Sequence, residues 1–445
     1  MKFFQRTGLG DSTTFMGGPD LPRVLQGLCQ GNGAAPACWT MLSAVLMHCY
    51  WLEGFDARLL SPISRLLIEF MGTNFVDDTY LVIMDPTLKS SIAVYEEMQH
   101  SLYMWGDLLT STGGALKPEK CFWYLVDYEF KDGEWIYTDT VDWELLVPLP
   151  DGSEEPIQQY DVHHCEKTLG VWSSPSGEEG SQLEKIAERV EKWTSRTANG
   201  HLPAKFAWVS YKLKLWPGLR YGLATLATPF RTAASFLDSF HFRMLPFLGI
   251  NRNIKREWRT LPRAFGGIGL FSFPVEQTIC CLNMLLQHYG VPSTLGKKFQ
   301  ASLECLQLEV GVNVNPLTIS YDIYGSLATT CWVKTLWERL WVYRFQVTMD
   351  YPDIPFPREK DALMVDLFRS AGWKGEELRS LNRVRLHLQM LFLSDIVLAN
   401  GRQVDASCLR PHAVPSTSSS YDFPREEPTS TDWTRWADFW TSFTQ

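Results

Sequence analysis

The chain has 445 residues, of which 45% are hydrophobic and 20% charged, so it can bury a large core and form more than one domain. Aromatic residues make up 13% of it, including 18 tryptophans, which excludes disorder over most of its length. Its 41 basic and 50 acidic residues give a net charge of −9, which excludes a chain that is basic overall.

Neither cysteines nor apolar runs indicate secretion or a membrane span. Ten cysteines are too few for a disulfide scaffold, and none forms a C-x-x-C pair. No apolar run reaches the roughly 18 to 20 residues that cross a bilayer. The N-terminus also lacks the apolar stretch of a signal peptide. We therefore expect an intracellular protein with no membrane partner; the sequence does not decide between nucleus and cytoplasm.

The first part of the chain predicts an α+β domain. Pro36 begins a helical pattern that continues to Tyr50, and two apolar runs, 70–76 and 79–84, read as strands joined at Asp77-Asp78. A second helical pattern begins at Asp85 and ends at Gly113-Gly114. Further strands are predicted over 121–130, 135–137 and 166–172. This order predicts an antiparallel sheet covered by helices on one face.

Helical patterns dominate the rest of the chain. They cover about 182–260, 275–310 and 325–397, whereas 411–431 has the Pro, Ser and Thr content of a linker. The end, 432–440, is typical of a short amphipathic helix. The predicted domains are residues 1–180, a basic helical region 181–270, a helical C-terminal region 271–410, and a linker with a Trp-rich tail 411–445.

Charge is distributed unevenly along these domains. Residues 1–183 carry 10 basic and 26 acidic side chains, whereas residues 184–263 carry 15 basic and 5 acidic ones. An acidic block followed by a basic block fits a metal-dependent site beside a surface that binds a polyanion. The alternative, an ordinary basic helical domain next to an acidic one, explains the charges equally well.

The adjacent carboxylates of Asp77 and Asp78 are the sharpest chemical feature. Two carboxylates between apolar strands are costly unless they face water or bind cations. Mg²⁺ prefers a few carboxylates together with substrate phosphates, and two such ions can promote nucleotidyl transfer. Taken alone, the pair is more often a solvated turn. Its context is a Gly-rich loop that leads into a helix, Gln30 to Pro36, and Lys120 at the start of a strand.

In this order the elements resemble a reverse transcriptase, the RNA-directed DNA polymerase of retroelements. Gln30-Gly31-Asn32-Gly33-Ala34-Ala35-Pro36 is similar to the Q-G-x-x-x-S-P loop called motif B, with Ala35 in place of serine. Phe75-Val76-Asp77-Asp78 resembles the F/Y-x-D-D hairpin called motif C. Leu116 to Lys120 is similar to motif D, and Leu169-Gly170 to the primer-grip hairpin. The resemblance covers about residues 20–175 and implies a partial polymerase palm.

The resemblance also implies a role for each matching residue. Asp77 and Asp78 would bind Mg²⁺ (or Mn²⁺), and Lys120 would act on the departing pyrophosphate as a catalytic cation. Leu169 and Gly170 would position the primer end. The residues that would contact the template base and the incoming nucleotide are Gln30, Gly31 and Pro36. The implied partners are an RNA template, a DNA primer and dNTPs.

The basic helical region would then be the thumb. Its cations at helical spacing suit the phosphate backbone of a nucleic acid, and we assign that role to Lys205, Lys212, Lys214 and Arg220. For the neighbouring aromatic residues Phe206, Trp208 and Trp216 we expect helix packing instead. Leu261 to Leu270 resembles the G-G-x-G turn found after the polymerase domain in retroelement proteins of the non-LTR type.

One element of the family pattern has no match. Motif A supplies another metal-binding carboxylate ahead of the glutamine loop, but only Asp11 and Asp20 precede that loop here, in sequence that does not read as a strand. We therefore expect the chain to lack the fingers and to be inactive by itself, with a possible N-terminal polymerase segment missing. The alternative is a non-catalytic retroelement remnant that binds nucleic acid through its basic helical region.

Overall fold

The computed structural model describes residues 3–7, 10–16, 35–75, 78–84, 90–131, 134–149, 151–415 and 419–443. Helices and short strands are mixed along the chain, as an α+β fold requires. The chain divides into two compact units. The first unit comprises Met1–Leu59, Glu69–Leu125 and Thr140–Tyr160, and the second comprises Leu60–Ile68, Val126–Asp139 and Asp161–Gln445.

The strands are short, and each pairs with one partner. In chain order they are β1 (Phe3–Thr7), β2 (Gly10–Met16), β3 (Ala57–Leu60), β4 (Leu67–Phe70), β5 (Gly72–Phe75), β6 (Asp78–Leu81), β7 (Phe122–Trp123), β8 (Tyr128–Lys131), β9 (Glu134–Tyr137), β10 (Leu146–Pro148), β11 (Glu154–Pro156), β12 (Gln158–Gln159), β13 (Glu166–Thr168) and β14 (Val171–Ser173). The pairs are β1–β2, β3–β4, β5–β6, β7–β12, β8–β9, β10–β11 and β13–β14.

This pairing differs from the single antiparallel sheet expected of a palm. Among the described residues no strand pairs with two other strands, although Ala57 of β3 also forms a parallel bridge to Met84, shortly after β6. Strands β7 and β12 run parallel, with Phe122 opposite Gln158. In the antiparallel pair β10–β11, Pro148 and Pro156 lie within the strands. Because proline has no backbone N–H, these residues cannot donate a hydrogen bond to a further strand.

Two helices organise the core of the first unit. Helix α1 spans Ala35–Leu52 and helix α2 spans Ser91–Ser111, where the Ser90 side chain accepts a hydrogen bond from the backbone N–H of Ala93. One cluster joins the two helices through buried Tyr50 and Trp105. On another part of α2, the side-chain amide of Gln99 pairs with both backbone groups of Leu146, at 2.7 and 2.8 Å. This amide pair fixes β10 on the helix.

The second unit is mainly helical. Its helices are α3 (Gly180–Asn199), α4 (Ala204–Ser210), α5 (Trp216–Arg220), α6 (Phe230–Ser235), α7 (Asp238–Met244), α8 (Arg256–Thr260), α9 (Phe273–His288), α10 (Thr294–Val310), α11 (Tyr321–Tyr324), α12 (Trp332–Val342), α13 (Met364–Ser370), α14 (Gly375–His387) and α15 (Ser430–Phe443). A π-helical turn, Tyr211–Leu215, joins α4 to α5 without a break. The helical regions predicted from periodicity are thus divided into shorter helices by turns.

Two large apolar clusters lie within this unit. One contains buried side chains from the region between α3 and α9, including fully buried Tyr211 and Phe271. The other contains side chains of α9 to α15, including Trp337 and Phe368. Tyr211 links the π-helical turn to the segment before α9, because its hydroxyl accepts a hydrogen bond from the backbone N–H of Phe271 at 2.6 Å.

The Trp-rich tail belongs to the second of these clusters. Helix α15 buries four aromatic side chains there, namely Trp433, Trp436, Phe439 and Trp440. At its start the buried carboxylate of Asp432 accepts hydrogen bonds from Ser380 and, at 2.8 Å, from Arg383 of α14. The amphipathic pattern of 432–440 therefore forms a packed helix of the second unit.

Candidate nucleic-acid interface

The hairpin expected at Asp77-Asp78 is present, and the structure describes one of these two residues. Strands β5 and β6 pair antiparallel, with Phe75 opposite Asp78 and Gly72 opposite Leu81. The Asn74 side-chain amide donates to the Thr79 hydroxyl at 2.7 Å, which ties the two strands together. Asp78 is exposed at the first position of β6. Asp77 lies outside the described residues.

Close backbone contact fixes the other end of this hairpin. Gly72 has φ +147°, and a Cβ atom there would lie 1.9 Å from the carbonyl oxygen of Tyr80. Only glycine therefore fits at this position without moving the strand. The hairpin also contacts the helical core of its unit, since Met71 and Leu81 pack on the cluster that contains Tyr50.

The other residues expected near the chemistry are described only in part. Pro36 lies in the first turn of α1, as the sequence predicted, and is exposed. Gln30 and Gly31 lie outside the described residues. Lys120 is exposed at the end of a 3₁₀ turn, Pro118–Lys120, directly before β7. Among the described residues no group of three His, Cys, Asp or Glu side chains could hold a metal ion. Asp78 alone does not make a metal site.

The segment expected to be the primer grip forms a tight hairpin in the second unit. Thr168 of β13 pairs with Val171 of β14, so Leu169 and Gly170 form a two-residue turn. Both have positive φ, 49° and 88°, as a type I′ turn requires. The predicted single strand over 166–172 is therefore two short strands around this turn.

This hairpin is held by side chains of the helical region. The Tyr221 hydroxyl donates to the carbonyl oxygen of Leu169 at 2.6 Å, and its ring lies against Gly170. The backbone N–H of Trp172 donates to the Gln182 side chain of α3 at 2.9 Å. The turn and the start of the helical region thus form one local structure.

Cations line the outer face of the segment from α4 to α5. Ala207, Tyr211, Leu215 and Leu219 point into the core, and burial raises the pKa of the Tyr211 hydroxyl above its ordinary value. Lys205, Lys212 and Lys214 are exposed on the other side. None of these three lysines forms an ion pair with a described residue. Arg220 differs, because its guanidinium lies 3.3 Å from the Glu276 carboxylate.

The aromatic residues of this segment only partly follow the expected packing. Trp208 is half-buried and donates its indole N–H to the carbonyl oxygen of Leu248 at 3.1 Å, and Trp216 contacts Phe271 edge to face. The prediction was wrong for Phe206, which is 57% exposed. In a helix, its position is three residues from Val209 and seven from Leu213, so these exposed apolar residues share one face.

Sequence reasoning missed a set of cations next to these lysines. The guanidinium of Arg263 lies over the Trp208 ring at 4.7 Å, and the Lys212 amine approaches the same ring at 5.8 Å. Arg263 belongs to a run of basic residues, the others being Arg252, Lys255, Arg256 and Arg259. The local positive charge of this run is readable in the sequence and could have indicated these cations.

Comparisons of the chain with protein-family models, with curated proteins and with solved structures gave no match. Among the described residues, none of the helices is long and apolar enough to span a bilayer.

Proposed function

We propose that this chain belongs to a reverse transcriptase from a non-LTR-like retroelement. Its first part would belong to the palm, residues 181–270 to the thumb, and the rest to a helical C-terminal region. The reaction would be template-directed nucleotidyl transfer on an RNA template and a DNA primer, with dNTPs as substrates.

The observation that carries the proposal is the β5–β6 hairpin. An antiparallel pair with Asp78 opposite Phe75 follows helix α1 and precedes helix α2. The second hairpin, with Leu169 and Gly170 at its turn, comes later and leads into helices. This order of helix, acidic hairpin, helix, turn hairpin and helical block is the order that the resemblance implies.

Each residue has a defined role in this proposal. Asp77 and Asp78 would bind Mg²⁺ or Mn²⁺, which supplies charge stabilisation at the reacting phosphate. Lys120 would offset charge on the leaving pyrophosphate. Asp11 lies on strand β2, opposite Arg6 of β1, so the expectation that its segment does not form a strand was wrong. Because the sequence around Asp11 does not match motif A, we still expect no extension of a primer by the chain alone.

A second candidate function is nucleic-acid binding without catalysis. It is favoured by the three exposed lysines of the segment from α4 to α5, Lys205, Lys212 and Lys214, which no described carboxylate neutralises. Unpaired cations on one face attract the phosphate backbone, and counterions are released when they bind it. This function needs no metal and no motif A.

Primer extension together with Mn²⁺ binding separates the two candidates. The purified chain is assayed on a primed RNA template with Mg²⁺ and with Mn²⁺, beside Asp77→Asn combined with Asp78→Asn. Extension by the wild type that the double variant lacks would establish an active polymerase. No extension, with Mn²⁺ binding that the double variant loses, is the result expected of a reverse transcriptase chain without motif A. Salt-sensitive binding of the primed template with neither extension nor Mn²⁺ binding supports the non-catalytic candidate. Absence of extension, Mn²⁺ binding and template binding would contradict both.

A further inference from the structure

A basic turn, defined here as Asn251–Gly269, exposes two aromatic rings beside several cations. Trp258 is 46% exposed and Phe265 is 72% exposed. Both belong to the second unit, and neither side chain is needed to fill its apolar clusters. Exposed aromatic side chains of this size cost free energy in water unless a partner covers them.

Backbone hydrogen bonds hold the basic turn in one conformation. The N–H of Ile268 donates to Trp258 at 2.9 Å, and that of Leu270 donates to Arg259 at 2.8 Å. A Cβ atom at Gly267 would lie 2.0 Å from the carbonyl oxygen of Leu261, so only glycine allows this approach. The backbone positions that carry both exposed rings are therefore set before any ligand binds, which lowers the entropic cost of binding.

The cations of the basic turn remain available to an anion. Arg256 pairs with Asp238 at 2.8 Å, but Arg252, Lys255 and Arg263 form no ion pair with a described residue. Arg252 and Arg263 lie over the rings of Phe242 and Trp208 at 5.3 and 4.7 Å. Such stacking orients a guanidinium. The Arg263 Nε–H donates to the carbonyl oxygen of Ile268 at 3.2 Å, and the terminal N–H groups of its guanidinium can donate to phosphate.

We infer that the basic turn binds single-stranded nucleic acid, with unpaired bases stacked on Trp258 and Phe265 and phosphates held by Arg252, Lys255 and Arg263. Stacking on exposed rings requires a free base face, which single strands offer and a duplex interior does not. The cations supply the attraction for the backbone. This inference goes beyond the proposed function, which concerns a primed duplex and the lysines of the α4–α5 segment.

Fluorescence anisotropy of labelled oligothymidylate and oligouridylate with the full chain tests this inference. Trp258→Ala and Phe265→Ala are each expected to weaken binding by about 5- to 150-fold, the range for loss of one stacked base. Arg263→Gln should lower the salt dependence of binding. Phe345→Ala and Lys360→Gln change an exposed ring and an exposed cation outside the basic turn, and both should bind like the wild type.

A further variant and two further ligands make the binding experiment decisive. Trp258→Phe keeps a ring and should retain most of the affinity even if Trp258→Ala does not fold. A blunt RNA–DNA hybrid should bind equally well to wild type, Trp258→Ala and Phe265→Ala. Unchanged oligonucleotide binding by both alanine variants would overturn the inference, as would an equal loss of hybrid binding. Binding of polyglutamate with the same loss would also overturn it, since that ligand has no bases.

The two proposals can fail separately. Substitution of Lys205, Lys212 and Lys214 by Gln should weaken hybrid binding and leave the stacking contribution of Trp258 and Phe265 unchanged. If the lysine substitutions leave hybrid binding unchanged, the proposed interface loses its support. The inference about the basic turn still holds in that case, provided that oligonucleotide binding depends on Trp258 and Phe265.

Discussion

At the scale of single residues, the metal part of the proposed function depends on Asp77 and Asp78. If the two carboxylates bind a divalent cation together, Asp77→Asn combined with Asp78→Asn removes both charges and should abolish Mn²⁺ binding. Electron paramagnetic resonance titration of free Mn²⁺ measures this directly in the full chain.

A second adjacent pair provides the control. Glu154 and Glu155 are exposed on β11, also in a two-stranded antiparallel pair. Glu154→Gln combined with Glu155→Gln should leave Mn²⁺ binding unchanged. Equal Mn²⁺ binding by wild type and by the Asp77/Asp78 double variant would contradict the metal assignment.

The hydrogen bonds of Asp432 predict how the stability of the protein depends on pH. Burial alone would raise the pKa of this carboxyl, but hydrogen bonds from Arg383, Ser380 and Thr429 outweigh burial and lower its pKa to about 2. A lowered pKa means that the carboxylate stabilises the fold above its unfolded pKa and that this stabilisation is lost as pH falls towards 2. Asp432→Asn should therefore lower the free energy of unfolding at pH 7 by about 2–3 kcal/mol.

Urea unfolding between pH 7 and pH 2 checks the sign of this effect. The difference in the free energy of unfolding between wild type and Asp432→Asn should be constant down to about pH 5 and should close below it, as the wild-type carboxyl takes up its proton. Asp438→Asn, on the same helix, is the matched control, because no described residue forms an ion pair with its carboxylate. A gap that widens as pH falls would contradict this reading of Asp432.

Single residues also set the limit of what the sequence predicts about the site. A Leu-Gly pair between short strands is compatible with a turn, and Leu169 and Gly170 do form one. The exposure of Phe206 was not predictable, because helical spacing shows which residues share a face and not whether another element covers that face. The ion pair between Arg220 and Glu276 joins residues far apart in sequence, so no local pattern indicates it.

At the scale of elements, helix α15 shows how a short tail stabilises the second unit. Trp436 is buried against Phe368, and its indole N–H donates to the carbonyl oxygen of Cys408 at 3.0 Å. Trp436→Ala should lower the free energy of unfolding by about 3–5 kcal/mol, because it leaves a cavity and an unpaired carbonyl group. Urea unfolding followed by far-UV circular dichroism measures the loss.

Phe443 provides the comparison on the same helix. It is 44% exposed near the helix end, so Phe443→Ala should cost far less than Trp436→Ala. Similar losses for the two variants would show that α15 is not packed as described.

Elements differ in how well the sequence predicts them. Helices α1, α2 and α15 follow apolar periodicity and end signals, which are local. The predicted strand 121–130 is instead two short strands, β7 and β8, in different pairs. Strand length depends on a partner, and Phe122 finds its partner at Gln158, 36 residues further along the chain. The periodicity of 432–440 predicts an apolar face but not the surface that covers it.

At the scale of the whole molecule, the division into two units follows from contacts between residues, and no change in amino-acid composition along the chain marks the boundaries between these units. The first unit includes Glu69–Leu125 and Thr140–Tyr160, whereas Val126–Asp139, which lies between these two segments in the sequence, belongs to the second unit. A boundary drawn from sequence is continuous, so it cannot represent a unit built from separate segments. The uneven charge, in contrast, was readable from the sequence, and the exposed lysines of the α4–α5 segment lie within the basic block.

Binding of a primed RNA template over a range of salt concentrations tests the central claim, that the basic helical region contacts a nucleic-acid backbone. Lys205, Lys212 and Lys214 are changed together to Gln, with Lys360, Lys374 and Arg402 changed to Gln as a control of equal charge elsewhere in the second unit. The slope of log K against log salt should fall by about 2 to 3 for the first set, near 0.9 for each lost phosphate contact, and should not change for the control. Unchanged affinity and slope in the first set would contradict the account.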